Sequence, residues 1–322
     1  YMDGWWDSMA VDQFIDRILR ARLDQVIKPN LKLALLHLRA RLFNQQTPRR
    51  SYIVGEAHYD IGNDLYVSML DKRLTYSCGY WKNAHNLDEA EEHKLDLICR
   101  KLNLQSGQKV LDIGCGWGSF AKFAAEKYGV SVVGVTISRE QAAFARESCK
   151  GLPVEIRLED YRLLNEPFDH IVSVGMFEHV GYKNYRTFMH VAARCLKDNG
   201  LFLLHTIGGN KSVKSTEPWI EKYIFPNSVL PSIQQIGQSI EKLFVMEDWH
   251  NFGSDYDKTL MAWHKNFNDR WPTLKAQYGE RFFRMWNYYL LCCAGGFRSR
   301  SNQLWQIVLS KKGVAGAYES VR

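Results

Sequence analysis

Apolar and polar positions follow a helical period at the start of the chain. Over residues 9–27 apolar side chains recur three and four positions apart, which predicts an amphipathic helix. A second helix is predicted from Leu31 to Phe43, and the polar, proline-marked residues 45–50 after it are typical of a domain boundary. We therefore expect a small helical N-terminal segment over residues 1–48 and a larger domain over residues 49–322.

Beyond residue 85 the pattern changes to a regular alternation of short apolar runs and amphipathic stretches. The apolar runs predict strands at 109–113, 130–136, 154–158, 169–174, 201–207, 244–250 and 303–310. Helices are predicted near 86–103, 117–128, 138–149, 183–197 and 232–242, and within 257–294. This order predicts an α/β fold, a doubly wound seven-stranded sheet with a helical insertion before the last strand.

The first predicted strand ends in an acidic residue followed by alternate glycines. Asp112, Gly114, Gly116 and Gly118 lie where the strand passes into a helix, so backbone groups and a helix N-terminus face a common pocket. A dinucleotide site would have G-x-G-x-x-G spacing and a P-loop would end in Gly-Lys-Ser/Thr, and neither is present. The pattern resembles the S-adenosylmethionine site of class I methyltransferases, and it predicts that fold and that cofactor.

One position departs from the usual methyltransferase pattern. The second strand generally ends in an acidic residue that holds the ribose hydroxyl groups, whereas here it ends in Thr136. We expect Gln141, one helical turn further, to supply an amide acceptor, and Asp160, after the third strand, to accept from the adenine amino group. Both side chains also suit ordinary positions at a helix start and a strand end, so that alternative stays open.

Composition limits the class of protein. The chain has 322 residues, 46% of them hydrophobic, which is enough for one large or two small domains. Its seven cysteines are an odd number without disulfide spacing or paired C-x-x-C metal spacing, which favours a reducing compartment and predicts no metal site. No apolar run approaches the ~18 residues that span a bilayer, so we expect a cytoplasmic protein.

The positive charge is concentrated near the N-terminus. Residues 1–55 carry nine Lys or Arg and five Asp, which is +4 of the chain's +7. A basic amphipathic segment of this kind binds nucleic acid, binds an anionic membrane surface, or simply packs on the rest of the protein or on a partner subunit. The chain starts in a dense aromatic segment at Tyr1 without an initiator residue, so we expect further residues before it.

Seven further motifs distinguish this chain from generic methyltransferases, which share only the glycine turn. They are Tyr52–Gly55, His58–Asp64, Tyr76–Trp81, Val133–Ser138, Gly175–Gly181, Leu204–Gly208 and Glu247–Gly253. Together they resemble the cyclopropane-fatty-acyl-phospholipid synthase family along essentially the whole chain. The related mycolic-acid cyclopropane synthases are similar in the core, but their residues at Gly62-Asn63 usually differ and the basic N-terminal segment is not expected in them. The phospholipid enzymes are therefore favoured.

The resemblance implies transfer of a methylene group from S-adenosylmethionine to the cis double bond of an unsaturated phospholipid acyl chain. The π electrons attack the sulfonium methyl group, a base removes a proton from the transferred methyl group, and the ring closes. The resemblance further implies bound bicarbonate as that base. We also expect a homodimer that is attracted to anionic lipid at the inner face of the membrane, and no nucleic-acid partner.

The motif match implies two sets of site residues. The catalytic set holds bicarbonate through the side chains of Cys78, Glu178, His205 and Tyr256 and through the backbone of Ile207. The cofactor-binding set is Tyr76, Ser77, Asp112, Gly114, Gly116, Thr136, Ile137, Gln141, Asp160 and Tyr161. Backbone and hydroxyl donors can fix an oxyanion, and a carboxylate can accept from its protonated oxygen.

Three residues of the catalytic set also have ordinary explanations. Cys78 suits a small buried position, Glu178 suits the start of a helix, and His205 suits a hydrogen-bonded place in an apolar strand. However, Glu178 and His205 both fall near the C-terminal ends of predicted strands, where open α/β sheets bind ligands. Their convergence with the glycine turn favours a functional site.

An acyl substrate adds a physical requirement. Exposing an acyl chain of about 16 carbons to water costs on the order of 13 kcal/mol, so the double bond must enter an apolar tunnel. Aromatic residues make up 13% of the chain. Candidate lining residues in the helical insertion, each equally suited to an ordinary core, are Trp263, Phe267, Trp271, Phe282, Phe283, Trp286, Tyr288 and Tyr289.

Two other functions stay open on the sequence alone. The same cofactor site would serve a soluble methyltransferase that acts on a polar small molecule, which requires a polar acceptor pocket and no lipid. The second is a lipid-binding protein with an inactive methyltransferase fold, and the intact Gly114, Gly116, Glu178 and His205 argue against it.

Overall fold

The computed structural model describes residues 1–23, residue 26 and residues 62–322. The predicted helix from Leu31 to Phe43 and the predicted boundary at residues 45–50 lie outside these residues. The division into two domains therefore stays a prediction. The first family motif and most of the second also lie outside the described part of the chain.

The described N-terminal part is helical, as predicted, but its helix is shorter than the pattern indicates. Helix α1 spans Val11–Arg20. The prediction of one helix over residues 9–27 is wrong at its C-terminal end, because Arg22 adopts a left-handed φ of +55°. An α-helix of L-residues does not contain that conformation.

Two helices precede the sheet. Helix α2 (Asn63–Met69) was not predicted, since seven residues are too few for a helical period to be visible. Helix α3 (Leu87–Lys101) lies where it was predicted. It begins after Asn86, whose side chain accepts a hydrogen bond from the Glu89 N–H at 2.9 Å and so satisfies one of the unpaired groups of the first turn.

Seven strands form one mixed sheet. They are β1 (Lys109–Ile113), β2 (Ser131–Thr136), β3 (Val154–Leu158), β4 (Phe168–Val174), β5 (Leu196–Gly209), β6 (Val245–Asn251) and β7 (Asn302–Ser310). Their order is β3-β2-β1-β4-β5-β7-β6. Strands β1 to β5 are parallel, and β7 is antiparallel to both β5 and β6. The predicted doubly wound sheet is confirmed, and its strand order reverses between β1 and β4, where such sheets bind ligands.

Six further helices connect the strands. They are α4 (Ser119–Tyr128), α5 (Arg139–Ser148), α6 (Tyr185–Cys195), α7 (Pro218–Tyr223), α8 (Ile233–Ile240) and α9 (Ser254–Arg298). Helix α4 begins later than predicted because Gly118 has a φ of +84°. Helix α9 is the predicted insertion, and Gly279, with a φ of +73°, divides it into two consecutive helices. Within the described ranges, no helix is both long and apolar enough to cross a membrane.

Helix α1 packs closely against α9. A Cβ on Gly295 of α9 would lie 2.5 Å from the Asp12 carbonyl oxygen and 2.9 Å from Ile15 Cβ, so only glycine allows this approach. Arg298, one turn further along α9, forms ion pairs with Asp12 and Asp257. The position of α1 therefore depends on a backbone contact as well as on charge.

We expect Gly295→Ala to lower the free energy of unfolding by about 1–3 kcal/mol, because the added methyl group pushes α1 away from α9. The matched control is Gly237→Ala in α8, where the residue is exposed and an added Cβ meets nothing within 4 Å. Alanine there should be neutral or stabilising by up to about 1 kcal/mol. Chemical denaturation measures both variants, and equal stabilities would contradict the tight packing at Gly295.

Candidate active site

A cavity opens beside the glycine turn, at the carboxyl ends of β1, β2, β3 and β4. All ten residues of the predicted cofactor-binding set line it: Tyr76, Ser77, Asp112, Gly114, Gly116, Thr136, Ile137, Gln141, Asp160 and Tyr161. The fold thus brings together residues from four separate stretches of the chain. Their role as cofactor ligands stays a prediction.

Gly114 and Gly116 are needed in the turn for different reasons. Both have a left-handed φ, +87° and +54°. A Cβ on Gly114 would lie 2.6 Å from the Met176 side chain, so the protein itself closes this position. A Cβ on Gly116 would meet no protein atom within 4 Å, although the residue lines the cavity. Packing against Met176 thus gives a reason within the protein for glycine at 114, while both glycines line the cavity and their contact with the cofactor stays a prediction.

Asp112 ends β1 as a buried carboxyl group, 2% exposed. Burial raises its pKa to about 7, and the nearby Lys94 partly offsets this effect. Lys94 lines the same cavity, donates to Ser77 Oγ at 2.7 Å and pairs with Glu91 at 3.0 Å. A cation bound in the cavity would favour the ionised form of Asp112.

The polar groups at the ends of β2 and β3 are partly engaged within the protein. Thr136 Oγ1 donates to Gln141 Oε1 at 3.0 Å and accepts from the Ser138 N–H at 3.2 Å. Asp160 accepts from the Arg162 N–H and forms an ion pair with the same arginine. Gln141 and Asp160 therefore have the structural roles that the sequence left open, while both still line the cavity.

The predicted catalytic set is buried next to this cavity. Cys78, Glu178, His205 and Tyr256 are each at most 8% exposed. The Ile207 N–H donates to Glu178 Oε1 at 2.7 Å, and the expected contact between the Ile207 backbone and the anion stays a prediction. The other carboxyl oxygen, Oε2, is buried and has no hydrogen-bond partner among the described residues.

Burial sets the protonation state of these groups. It raises the pKa of Glu178 to about 7, against a smaller lowering effect of the Ile207 N–H. It also raises the pKa of the Cys78 thiol and of the Tyr256 hydroxyl group, and it lowers the pKa of His205 well below its usual value. At neutral pH the set therefore presents protonated thiol and phenol groups, a neutral imidazole and a carboxyl group that readily gains or loses a proton.

His205 lies on β5 opposite Gln306 of β7. Gln306 Nε2 is 3.3 Å from His205 Nδ1. The other ring nitrogen, His205 Nε2, is buried without a partner in the described part of the chain. His205 is thus not a fully hydrogen-bonded core histidine, which was the ordinary alternative.

Thr259 of α9 fixes the segment that carries Cys78. Its hydroxyl oxygen accepts from the Gly79 N–H at 3.1 Å and from Trp81 Nε1 at 2.9 Å. The same oxygen lies 3.8 Å from Cys78 Sγ, which also contacts the Gly79 carbonyl oxygen at 3.2 Å. The thiol is therefore held in one place by the start of the long helical insertion.

The cavity and the catalytic set share a wall. Ser77 lines the cavity while the next residue, Cys78, belongs to the catalytic set. In the same way, His179 lines the cavity and Glu178 precedes it. The two sites adjoin, and neutral donors beside an acid of nearly neutral pKa suit a small oxyanion. The described residues contain no group of His, Cys, Asp and Glu side chains that fits a metal ion.

Aromatic rings surround the boundary between the two sites. The hydroxyl groups of Tyr76 and Tyr289 are 2.9 Å apart, and the Trp263 ring lies 5.2 Å from Tyr76 and 6.0 Å from Tyr256. The buried apolar side chains around Tyr256 and Trp263 form one hydrophobic cluster. Seven of the rings predicted to line a tunnel belong to this cluster or pack against it: Trp263, Phe267, Trp271, Phe282, Phe283, Trp286 and Tyr289. Tyr288 instead contacts Tyr1 and Trp219. That these rings form a tunnel stays a prediction.

Several polar residues at these two sites were not predicted from the sequence, among them Lys94, Glu159, Thr259 and Gln306. Lys94 falls on the apolar stripe of α3, and Gln306 is a polar residue within an apolar strand, so both carried a readable signal. Glu159, which lines the cavity, directly precedes Asp160. Thr259 had no such signal, because only the tertiary structure brings it to Cys78.

Comparisons with known proteins show the family to which the chain is similar. The family model of mycolic acid cyclopropane synthetase matches residues 46–307. The cyclopropane-fatty-acyl-phospholipid synthase of Escherichia coli strain K12 is 57% identical over 311 residues, which cover 97% of this chain and 81% of that protein. The cyclopropane synthase MmaA2 from Mycobacterium tuberculosis has a TM-score of 0.77 at 32% identity, over 83% of this chain and 100% of that one. The mycolic acid cyclopropane synthase CmaA1, solved with SAH and CTAB, has a TM-score of 0.76 at 32% identity. The match covers 81% of this chain and 98% of that one.

We expect Gly116→Ala to weaken S-adenosylmethionine binding by roughly tenfold or more, because the methyl group enters cavity space that no protein atom occupies. Gly107→Ala is the matched control, since Gly107 also has a left-handed φ, +85°, and an open surrounding, but lies outside the cavity lining. Both variants should lose about 1 kcal/mol of stability from backbone strain. Calorimetric titration reads the affinity, and an unchanged affinity in folded Gly116→Ala would refute this position for the cofactor.

Proposed function

The chain belongs to the mycolic acid cyclopropane synthetase family and is an S-adenosylmethionine-dependent methyltransferase, and on this premise we propose that it forms cyclopropane rings in phospholipids. In the proposed reaction a methylene group passes from S-adenosylmethionine to the cis double bond of an unsaturated acyl chain. The observation that carries the proposal is the shared wall between the cavity and the catalytic set. It allows a methyl donor on one side to adjoin a bound base on the other.

The cavity suits the methyl donor. S-adenosylmethionine supplies an electrophilic methyl group on a positively charged sulfur. Asp112 provides the compensating negative charge, and Gly116 leaves space beside the turn. Thr136 and Gln141, which hold each other in place, present hydroxyl and amide groups for the ribose in the absence of the usual acidic residue.

The catalytic set suits a small anion. Glu178 Oε2 and His205 Nε2 are buried polar atoms without partners among the described residues, and Cys78 and Tyr256 add protonated donors. Bicarbonate held there would supply the base that accepts the proton lost from the transferred methyl group. A protein carboxylate next to the developing carbocation is itself open to alkylation, which favours an exchangeable base over Glu178.

The surroundings favour an apolar acceptor over the polar small molecule of the alternative function. Tyr76, Trp263, Tyr289 and Phe225 place rings where the two sites meet. Such rings exclude water that would quench a carbocation, and their faces stabilise positive charge. We therefore propose an unsaturated acyl chain as the acceptor.

The N-terminal part suits contact with a lipid surface. Trp5, Met9 and Phe14 are exposed large apolar side chains near the exposed Arg17 and Arg22. Aromatic rings and arginines together favour the interface of an anionic membrane. We propose peripheral association with the cytoplasmic face of the membrane. The homodimer stays a prediction.

We expect incubation with S-adenosylmethionine and vesicles of unsaturated phospholipid to add about 14 mass units per converted double bond, because one CH₂ is gained. Mass spectrometry of the lipid measures the gain. Methylation of polar amines or carboxylates without lipid would favour the alternative function instead. In carbonate-free buffer the rate should fall and return on adding bicarbonate.

Glu178→Gln should cut turnover about 100- to 1000-fold and leave S-adenosylmethionine affinity unchanged, because one partner of a preorganised charged site is lost. Full wild-type activity without carbonate, at saturating lipid and cofactor, would show that a side chain serves as the base. Loss of activity in Glu178→Gln alone does not separate these cases, so the carbonate series is measured on the wild type.

We expect the double variant Arg17→Gln/Arg22→Gln to bind anionic vesicles roughly tenfold more weakly at low salt, with a weaker dependence on salt, because each arginine near such a surface contributes about 1 kcal/mol. Arg20 is left unchanged because it pairs with Asp16 and donates to the Arg298 carbonyl oxygen. The control, Lys127→Gln/Arg139→Gln, removes the same charge at two exposed positions on α4 and α5. Equal weakening in both variants would mean a general charge effect.

A further inference from the structure

Three polar side chains form a row across neighbouring strands next to the catalytic set. His205 of β5 is the register partner of Gln306 of β7, and Gln306 is the register partner of His250 of β6. Directly opposed residues of adjacent strands point to the same face of a sheet. Gln306 is 0% exposed, and His205 is the hydrogen-bond partner of its amide nitrogen, while its amide oxygen has no partner among the described residues.

The amide group faces His205 with its nitrogen. Gln306 Nε2 lies 3.3 Å from His205 Nδ1. An amide nitrogen only donates, so the ring nitrogen that it meets must accept and carries no proton. The ring is neutral, because burial and the nearby Lys94, Lys101 and His250 all lower the pKa of His205. Its single N–H is therefore on Nε2, the atom that is buried without a partner among the described residues.

We propose that Gln306 is a positioning residue that fixes His205 in the Nε2–H form, so that the ring presents a hydrogen-bond donor to the anion held beside Glu178. The inference rests on the proposed function for the identity of that anion. It does not rest on it for the position of the ring proton, which is a property of the protein alone.

The alternative protonation of the ring would oppose anion binding. With the proton on Nδ1, a lone pair on Nε2 would face the buried oxyanion, and the site would lose one of its donors. Glu178 Oε2, also unpartnered in the described part of the chain, adds negative charge when ionised. A neutral ring that donates from Nε2 meets the requirement without a buried cation.

The first measurement is ¹⁵N NMR of wild-type protein labelled at histidine, with His205→Gln used to assign the signal. We expect a protonated Nε2 and an unprotonated, acceptor-type Nδ1. A protonated Nδ1 with a bare Nε2 in the wild type would overturn the proposal, whatever the outcome of the bicarbonate experiments. This measurement needs no activity and no folded variant at position 306.

The second measurement compares Gln306→Glu with the matched control Gln303→Glu on the same strand. A carboxylate only accepts, so Glu at 306 should draw the ring proton to Nδ1. Gln303 is also buried, but its amide contacts Asn251 and Arg300 and not His205. At alkaline pH, where the ring of the variant is neutral, the bicarbonate concentration for half-maximal activity should rise roughly tenfold or more in Gln306→Glu.

The control should leave that concentration unchanged, and the S-adenosylmethionine affinity should be the same in both variants. In Gln306→Glu the effect should shrink as the pH falls, because a second ring proton restores Nε2–H. An unchanged bicarbonate requirement in a folded Gln306→Glu whose NMR spectrum shows a bare Nε2 would refute the role of the ring donor. A wild type that needs no bicarbonate would refute the proposed base and leave the NMR result as a separate finding.

Discussion

The hydrogen bond from the Ile207 N–H to Glu178 Oε1 is the contact on which the active site depends. Glu178 follows β4 and Ile207 lies in β5, so the bond fixes the ends of two parallel strands relative to each other. It provides a hydrogen bond to one oxygen of the buried carboxyl group, while the other oxygen, Oε2, has no hydrogen-bond partner among the described residues. An unsatisfied buried oxygen costs stability, and such a cost is retained where a ligand uses the atom.

Burial shifts the pKa of five groups of the site towards the neutral form. It brings the pKa of Asp112 and of Glu178 to about 7, keeps Cys78 and Tyr256 protonated, and keeps His205 neutral. In the proposed reaction a cationic methyl donor and a small anion would lie side by side in this buried region, where their opposite charges would stabilise each other more strongly than in water.

The sequence predicted much of the fold and of the residues at the site. Strand and helix periods gave seven of the nine α-helices of the described chain and all seven strands, and the glycine turn indicated the end of the sheet at which the cavity lies. Short helices such as α2 and α7 were missed because they hold less than two helical turns of periodic pattern. The end of α1 was missed because the left-handed φ of Arg22 leaves no mark on the hydrophobic period.

The sequence by itself determined the order of the strands along the chain, the glycine turn and ten of the residues that line the cavity, because periodicity and motif spacing are local properties. Only the tertiary structure decided that Gly114 makes room for Met176, that Ile207 holds Glu178, and that Gln306 meets His205. The two residues of each contact lie between 29 and 101 positions apart along the chain. Such contacts depend on strand register and on which polar atoms are buried away from water. Neither property can be predicted from the local sequence pattern.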